Sequence, residues 1–390
     1  MVHFAKLLAV GVLAFQLAAA HPGDAHVEKT QAQIAHRKLF QANAHRSIKA
    51  CADAPHVREL EQQLAARRAA RVEELRQMQA ARGRSRQLDA ATVLAKSHKT
   101  TLAGVTTATD PTTLFGSTPQ CILEPQVTEG PYYVKGEFIR TDIRESQPGV
   151  DLHTELQIID VNTCKPVENL YVDFWHCNIT GVYSGVVARG NGNSADPTNS
   201  AKAFNRGLAP TDADRLVNFL TTFPGHYAGR AAHIHVLGTH DGTVLSNNTY
   251  SGGKVSHVGQ IFFDQSLIAQ VEATTAYSAN TQTLTTNAWG AIFSQSAAST
   301  FDPVMQYALL GDSTEDGIFA WISIGIDMTV VESVNAATTL TSAGGATTSG
   351  GTPTSGGSTP SPSPSSAASS LQSASVLATV TLAAIASFYH

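Results

Sequence analysis

The apolar positions of this 390-residue chain change their rhythm along its length. The first twenty residues, MVHFAKLLAVGVLAFQLAAA, form an apolar run behind one early lysine and end in small residues. Between Pro55 and Ala81 the spacing turns helical. Leu60, Leu64, Val72 and Leu75 recur on one face of a segment rich in Ala, Leu, Glu, Gln and Arg. The pattern predicts an amphipathic helix that packs on a core, pairs with a second subunit as a homodimer, or belongs to a removable pro-segment. From about Thr118 the runs shorten and take strand character: ELQIIDV, LYVDFWHCNI, RLVNFLTTF, AAHIHVLGT, VGQIFFD and IFAWISIGIDMTVV, broken by Asn, Asp, Gly and Pro. Strands this close together predict an all-β fold, an antiparallel β-sandwich behind an N-terminal helical segment. The polar stretch from Val186 to Pro210 reads as a loop near a functional end.

Composition then divides the chain. Residues 1–20 have the layout of a secretory signal peptide. Residues 21–117 are the helical segment or pro-region, and 118–335 the sandwich domain. Residues 336–370 collapse into Ser, Thr, Gly, Ala and Pro, a solvated stalk that cannot bury a core. The apolar tail at 371–390, behind small residues at Ser365, Ser366, Ala367 and Ala368, matches a GPI-attachment signal. These segments predict a secreted, extracellular protein anchored at the membrane or cell wall. Asn-x-Thr sequons at Asn178 and Asn247 suit glycosylation on that route. Cys51, Cys121, Cys164 and Cys177 form an even set, read as two disulfides in an oxidising compartment. A hairpin around Cys164 would separate it from Cys177, so Cys51–Cys164 with Cys121–Cys177 is the preferred pairing. Charge is uneven. Residues 21–100 hold 15 Lys+Arg against 8 Asp+Glu, whereas 101–390 hold 10 against 23. An acidic catalytic part argues against a nucleic-acid partner.

The candidate chemistry lies in that acidic part. In Arg230-Ala-Ala-His233-Ile-His235, strand alternation puts His233 and His235 on one face, where both reach one metal. His-x-His alone suits copper, zinc or iron. Tyr183 and Tyr227 favour non-haem Fe(III), because phenolate is a hard anionic donor. Two phenolates and a hydroxide would balance the ion's charge. A secreted copper enzyme would need further histidines, and His226 and His240 are the near ones. His21, exposed by signal cleavage, offers another copper chelate. A wall-anchored, non-catalytic sandwich is the remaining alternative.

The segments EGPYY (Glu129 to Tyr133), DFWHCNITGVYS (Asp173 to Ser184), FNRGLAPTD (Phe204 to Asp212) and FPGHYAGRAAHIH (Phe223 to His235) resemble intradiol ring-cleavage dioxygenases, in particular their extracellular fungal branch. The resemblance covers about residues 118–335. It implies iron(III) held by Tyr183, Tyr227, His233 and His235, with Tyr183 and His235 equatorial and Tyr227 and His233 axial. It implies that Arg230 faces the substrate ring, that Gln260 assists from the next strand, and that Tyr133 lines the pocket while Trp175 packs. The reaction implied is opening of a catechol-type diol by O₂ to a cis,cis-muconate type diacid. Tyr227 would leave the iron and accept a substrate proton. The spacing from Tyr227 to His233 is shorter than in the bacterial members. That from His235 to Gln260 is longer, through THDGTVLSNNTYSGGKVSH, which bears on the Gln260 assignment.

Overall fold

The computed structural model describes residues 55–81, 121–122, 129–212, 214–297, 302–340 and 346–348. The predicted signal peptide, the C-terminal tail, His21 and the small residues at 365–368 lie outside them. Two sheets face each other. The first contains β1 (Cys121–Ile122), β3 (Asp151–Asp160), β4 (Lys165–Pro166), β7 (Leu216–Thr222), β10 (Gln306–Leu309) and β11 (Ile318–Ile326). The second runs in the order β6 (Arg206–Pro210), β5 (Tyr171–Trp175), β8 (His233–Val244), β9 (Tyr250–Phe262) and is antiparallel throughout. In the first sheet β3 and β11 pair in parallel over nine positions. Period-2 patterning is blind to strand direction, and β11 is buried on both faces, so its run carries no alternation.

The sandwich core forms where the inner faces meet. Leu152, Leu156 and Ile158 of β3, Phe219 of β7 and Ile322 of β11 oppose Val172 and Phe174 of β5, Ile234 and Val236 of β8 and Ile261 of β9. In β8 this commits Ile234 and Val236 inward, so His233 and His235 project from the outer face. That outer face is itself buried, under Tyr132, Tyr133, Val134, Tyr183 and Tyr227.

The N-terminal helix, α1 (Pro55–Ala81), has the bounds its sequence predicts and packs on the first sheet. Ala65, Val72 and Leu75 join Ala308, Leu310, Phe319 and Trp321, while Leu64 is buried and Leu60 half-buried. Arg68 pairs with Glu155 of β3 at 2.7 Å, both sealed from solvent. Two further helices, α2 (Gln265–Glu272) and α3 (Ala291–Ser296), follow β9.

Several expectations change. The stretch from Val186 to Pro210 is not all loop, because Arg206–Pro210 is strand β6, paired with β5. Its Arg-Gly-Leu-Ala-Pro sequence has no β propensity, and the pairing partner decides. The folded unit also runs past residue 335. Strand β12 (Thr338–Leu340) pairs with β13 (Ala346–Thr348) and, in parallel, with β2 (Val134–Lys135). Thr338 is buried and donates to the Gly185 carbonyl at 2.9 Å. Threonine is a strand former as well as a linker residue, and an open edge recruits it. The pairing Cys121–Cys177 is wrong. Cys177 is a buried free thiol donating to the Gly225 carbonyl at 3.3 Å, and burial pushes its pKa up to about 12. Cys121 lies in the first sheet and Cys177 follows β5 of the second. Cys164 is disulfide-bonded and sits in the β3–β4 turn, as the hairpin argument expects. Its partner is Cys51 or Cys121, whose side chains are outside the described residues.

Candidate metal centre

The histidine strand, the loop after β5 and the turn before β8 converge on one point. Tyr183 Oη lies 3.2 Å from Tyr227 Oη, 3.3 Å from His233 Nε2 and 3.2 Å from His235 Nε2. Tyr227 Oη is 3.3 Å from His233 Nε2, and the two imidazole Nε2 atoms are 3.1 Å apart. Ligand atoms about 2 Å from one ion at near-tetrahedral angles stand roughly 3.3 Å from each other. Hydrogen bonding alone does not explain the cluster. His233 Nδ1 lies 2.6 Å from the Ala231 carbonyl, an acceptor only, so the proton is on Nδ1 and Nε2 presents a lone pair. The four residues are 0–2 % exposed. Burial raises the pKa of both phenols and, with Arg230, holds that of His233 well down, so the imidazole is neutral. Two phenols, two imidazoles and no carboxylate fit a hard, highly charged cation such as Fe(III), which would offset the cost of ionising the phenols.

Local structure explains how each donor arrives. Tyr183 is held in a loop threaded by buried amides. Its N–H donates to the Asn191 carbonyl at 2.8 Å, and Asn199 Nδ2 donates to its carbonyl at 2.7 Å. The sequon residue Asn178 starts this loop, its Oδ1 accepting from Thr180 N, Thr180 Oγ1 and Val182 N. The other sequon residue, Asn247, is exposed in the β8–β9 turn. Gly225 lets the backbone before Tyr227 cross the loop closely, since a Cβ there would lie 2.4 Å from the carbonyl oxygens of Asn178 and Ile179. Tyr227 and Arg230 then close a tight turn through Gly229, whose φ of +86° suits glycine.

Trp175 lies on His235, and Arg230 Nη2 is 3.4 Å from His233 Nε2 and donates to Gln260 Oε1. Gln260 stands directly opposite His235 across the β8–β9 ladder. The long spacing between them is an extended hairpin whose register shifts at Gly238/Thr239, beyond this pair. Arg230 and Gln260 therefore lie beside the donor cluster. Tyr133 is buried in the same cluster as Trp175, Tyr183 and Tyr227. Its ring meets Trp175 at 5.2 Å, and burial together with Asp173, Glu137 and Glu129 raises its phenol pKa. Tyr132 is the residue that stacks on Tyr183, at 4.8 Å. Sequence reasoning passed over it because adjacent strand-like residues point to opposite sides, and the motif does not say which points in. His226 is bonded to Glu272 and the Gln282 carbonyl, both at 2.8 Å, and His240 to Ser256 at 2.8 Å. Among the described residues no group of three or more His, Cys, Asp or Glu is arranged to hold a metal ion.

No protein-family model matches the chain. A catechol 1,2-dioxygenase 1 of Acinetobacter lwoffii is 27% identical over 140 residues, and a catechol 1,2-dioxygenase of Acinetobacter baylyi 30% over 142. Each match takes in 30% of this chain and 42% of the relative, so the chain spans less than half the length of either. A solved intradiol ring-cleavage dioxygenase of Tetranychus urticae is 29% identical, covering 54% of this chain and 98% of its own, with a TM-score of 0.46. In that stretch this chain is similar to enzymes described as catechol 1,2-dioxygenases and an intradiol ring-cleavage dioxygenase.

Proposed function

We propose that the protein is an intradiol ring-cleavage dioxygenase of the extracellular branch, opening catechol-type diols with O₂ to cis,cis-muconate type diacids. The observation that carries this reading is the convergence of Tyr183, Tyr227, His233 and His235 donor atoms at 3.1–3.3 Å on a buried point with no carboxylate. A bound Fe(III) would supply the Lewis acidity that draws both diol oxygens and activates the ring toward O₂.

The chain's own residues divide the remaining work. Tyr183 is the fixed donor, clamped through both backbone groups and stacked beneath Tyr132. Tyr227 sits outside the sheets on a four-residue turn, bridged to Arg230, whose N–H donates to its carbonyl at 3.4 Å. It is the ligand placed to swing away and take a diol proton on Oη. Because the donors are buried, that swing also makes room for substrate. Arg230, oriented by Gln260, brings a cation beside the diol ring and stabilises negative charge developing there.

A site of action outside the cell belongs to the same proposal. Its supports are the apolar N-terminal run, the Ser/Thr/Pro-rich stretch before the apolar tail, and a disulfide at Cys164.

The test is to load the full chain with Fe(III) and follow catechol and O₂ together. About one iron per chain, a visible phenolate-to-iron band and a muconate product are expected. An extradiol semialdehyde, or no O₂ uptake by iron-replete protein, overturns the reading.

A further inference from the structure

Behind Tyr183, on the side away from the histidines' strand, lies a buried ionic group that the reading above does not use. Arg206 opens β6 and is 1 % exposed. Its Nε donates to the Ser184 carbonyl at 2.9 Å and to Ser184 Oγ at 3.1 Å. Its Nη2 donates to the Tyr132 carbonyl at 2.6 Å, and Nη1 to Glu137 Oε1 at 3.2 Å. One guanidinium therefore ties together the segments that carry Tyr183 and the ring stacked on it. Its central carbon lies over the Tyr183 ring, 5.9 Å from the centroid.

The counter-charge sits on the far side of Arg206. Glu137 is 2 % exposed, and beside it Asp173 is 7 % exposed. Two buried carboxylates this close repel when both are ionised, so the pair favours a single negative charge. Burial raises Glu137 to about 7 against the pull of Arg206, and burial and Glu137 push Asp173 well up. The trio is thus one cation and one shared anion, with the positive end against Tyr183.

We propose that Arg206 is a positioning residue for Tyr183, holding a fixed positive charge over its ring, with the Glu137–Asp173 pair as the anion that allows this charge to be buried. The inference rests on Tyr183 being an iron-bound phenolate. A cation over the ring lowers the energy of the phenolate electrons and makes Tyr183 a weaker donor to the ion. The fork geometry matters as well, since lysine cannot reach Ser184, Tyr132 and Glu137 together.

The experiment uses the Fe(III)-loaded full chain and reads the wavelength of the phenolate-to-iron band alongside iron content. With charge and ring about 6 Å apart at an effective dielectric of about 20, Arg206→Gln is expected to move the band to longer wavelength by on the order of 20 nm. Glu137→Gln together with Asp173→Asn removes the shared anion, leaves the cation uncompensated and is expected to move it to shorter wavelength. Arg206→Lys restores the charge and returns the band to within a few nanometres of wild type. Opposed shifts are the signature, because simple loosening of the loop would displace both bands in one direction. Should Arg206→Gln fail to fold, the Glu137→Gln/Asp173→Asn and Arg206→Lys bands decide. Shifts of one sign, or an unmoved Glu137→Gln/Asp173→Asn band at full iron content, overturn the inference. Wild-type protein without iron or band defeats the reading of the site instead, and the inference falls with it.

Discussion

Trp175 lies flat on the imidazole of His235, ring centroids 4.8 Å apart and planes 6° from parallel. The two residues face each other across the β5–β8 ladder, so the stack is set by strand register and fixes the ring of a proposed ligand. Groups that orient a metal-bound histidine affect affinity without touching the ion. Trp175→Leu is expected to weaken iron binding roughly 10- to 100-fold while the fold persists. Competition with a chelator measures this, and unchanged affinity would make the tryptophan only a packing residue.

The two tyrosines should separate. Tyr183→Phe removes the clamped donor and should lose iron or leave it easily reduced. Tyr227→Phe should keep most iron yet turn over slowly, for want of the oxygen that accepts the diol proton. Iron content, visible spectrum and O₂ uptake on both variants check the assignment. Equal iron loss would refute the division of roles, and wild-type turnover by Tyr183→Phe would refute the ligand set.

Arg230→Ala should retain iron and colour but lower kcat/KM by about 10²- to 10³-fold, the usual scale for removing a charge-stabilising donor. Gln260→Ala should produce a smaller loss in the same direction, since it frees the guanidinium without removing it. Steady-state kinetics with catechol distinguishes the two. A Gln260→Ala defect larger than that of Arg230→Ala would assign Gln260 its own contact with substrate.

The helix is coupled to the sandwich by Arg68 and Glu155, 4 % and 1 % exposed at the side chain. Breaking a buried pair strands a charge, so Glu155→Gln should destabilise by about 3–5 kcal/mol in denaturant titrations. Arg68→Met/Glu155→Leu together should recover most of that loss. A single-variant effect below about 1 kcal/mol would show the pair to be solvated.

Acid should weaken the fold below neutrality. His176 is buried between the Cys177 carbonyl and Thr221 Oγ1, both at 2.7 Å, and burial lowers its pKa to about 4. An unfolded histidine protonates near 6.5, so between about pH 6.5 and 4 the unfolded state binds the extra proton. Stability is full above that window and is lost as pH falls through it, by about 3 kcal/mol for this one group. His176→Gln, which keeps a polar partner for Thr221, should show a shallower decline in melting temperature over the same range. An identical slope would move the acid sensitivity to other groups.

Much of the site is legible in the chain because its geometry is local. His233 and His235 share a face through strand alternation, and Tyr227 and Arg230 are joined by a four-residue turn that glycine permits. The helix at Pro55–Ala81 is readable for the same reason, since a 3.6-residue repeat needs no partner to declare itself. Tertiary structure decided the rest. Which of Tyr132 and Tyr133 meets Tyr183 depends on how a short segment enters the cluster, and adjacent residues differ there by half a turn. Whether Cys177 bonds to another cysteine depends on which sheet each belongs to, and whether Arg206 is loop or strand depends on β5 alongside it. The parallel β3–β11 pair joins residues 166 positions apart, as Leu152 and Ile318 are. Side-chain alternation is the same in either strand direction, so only long-range packing makes that choice.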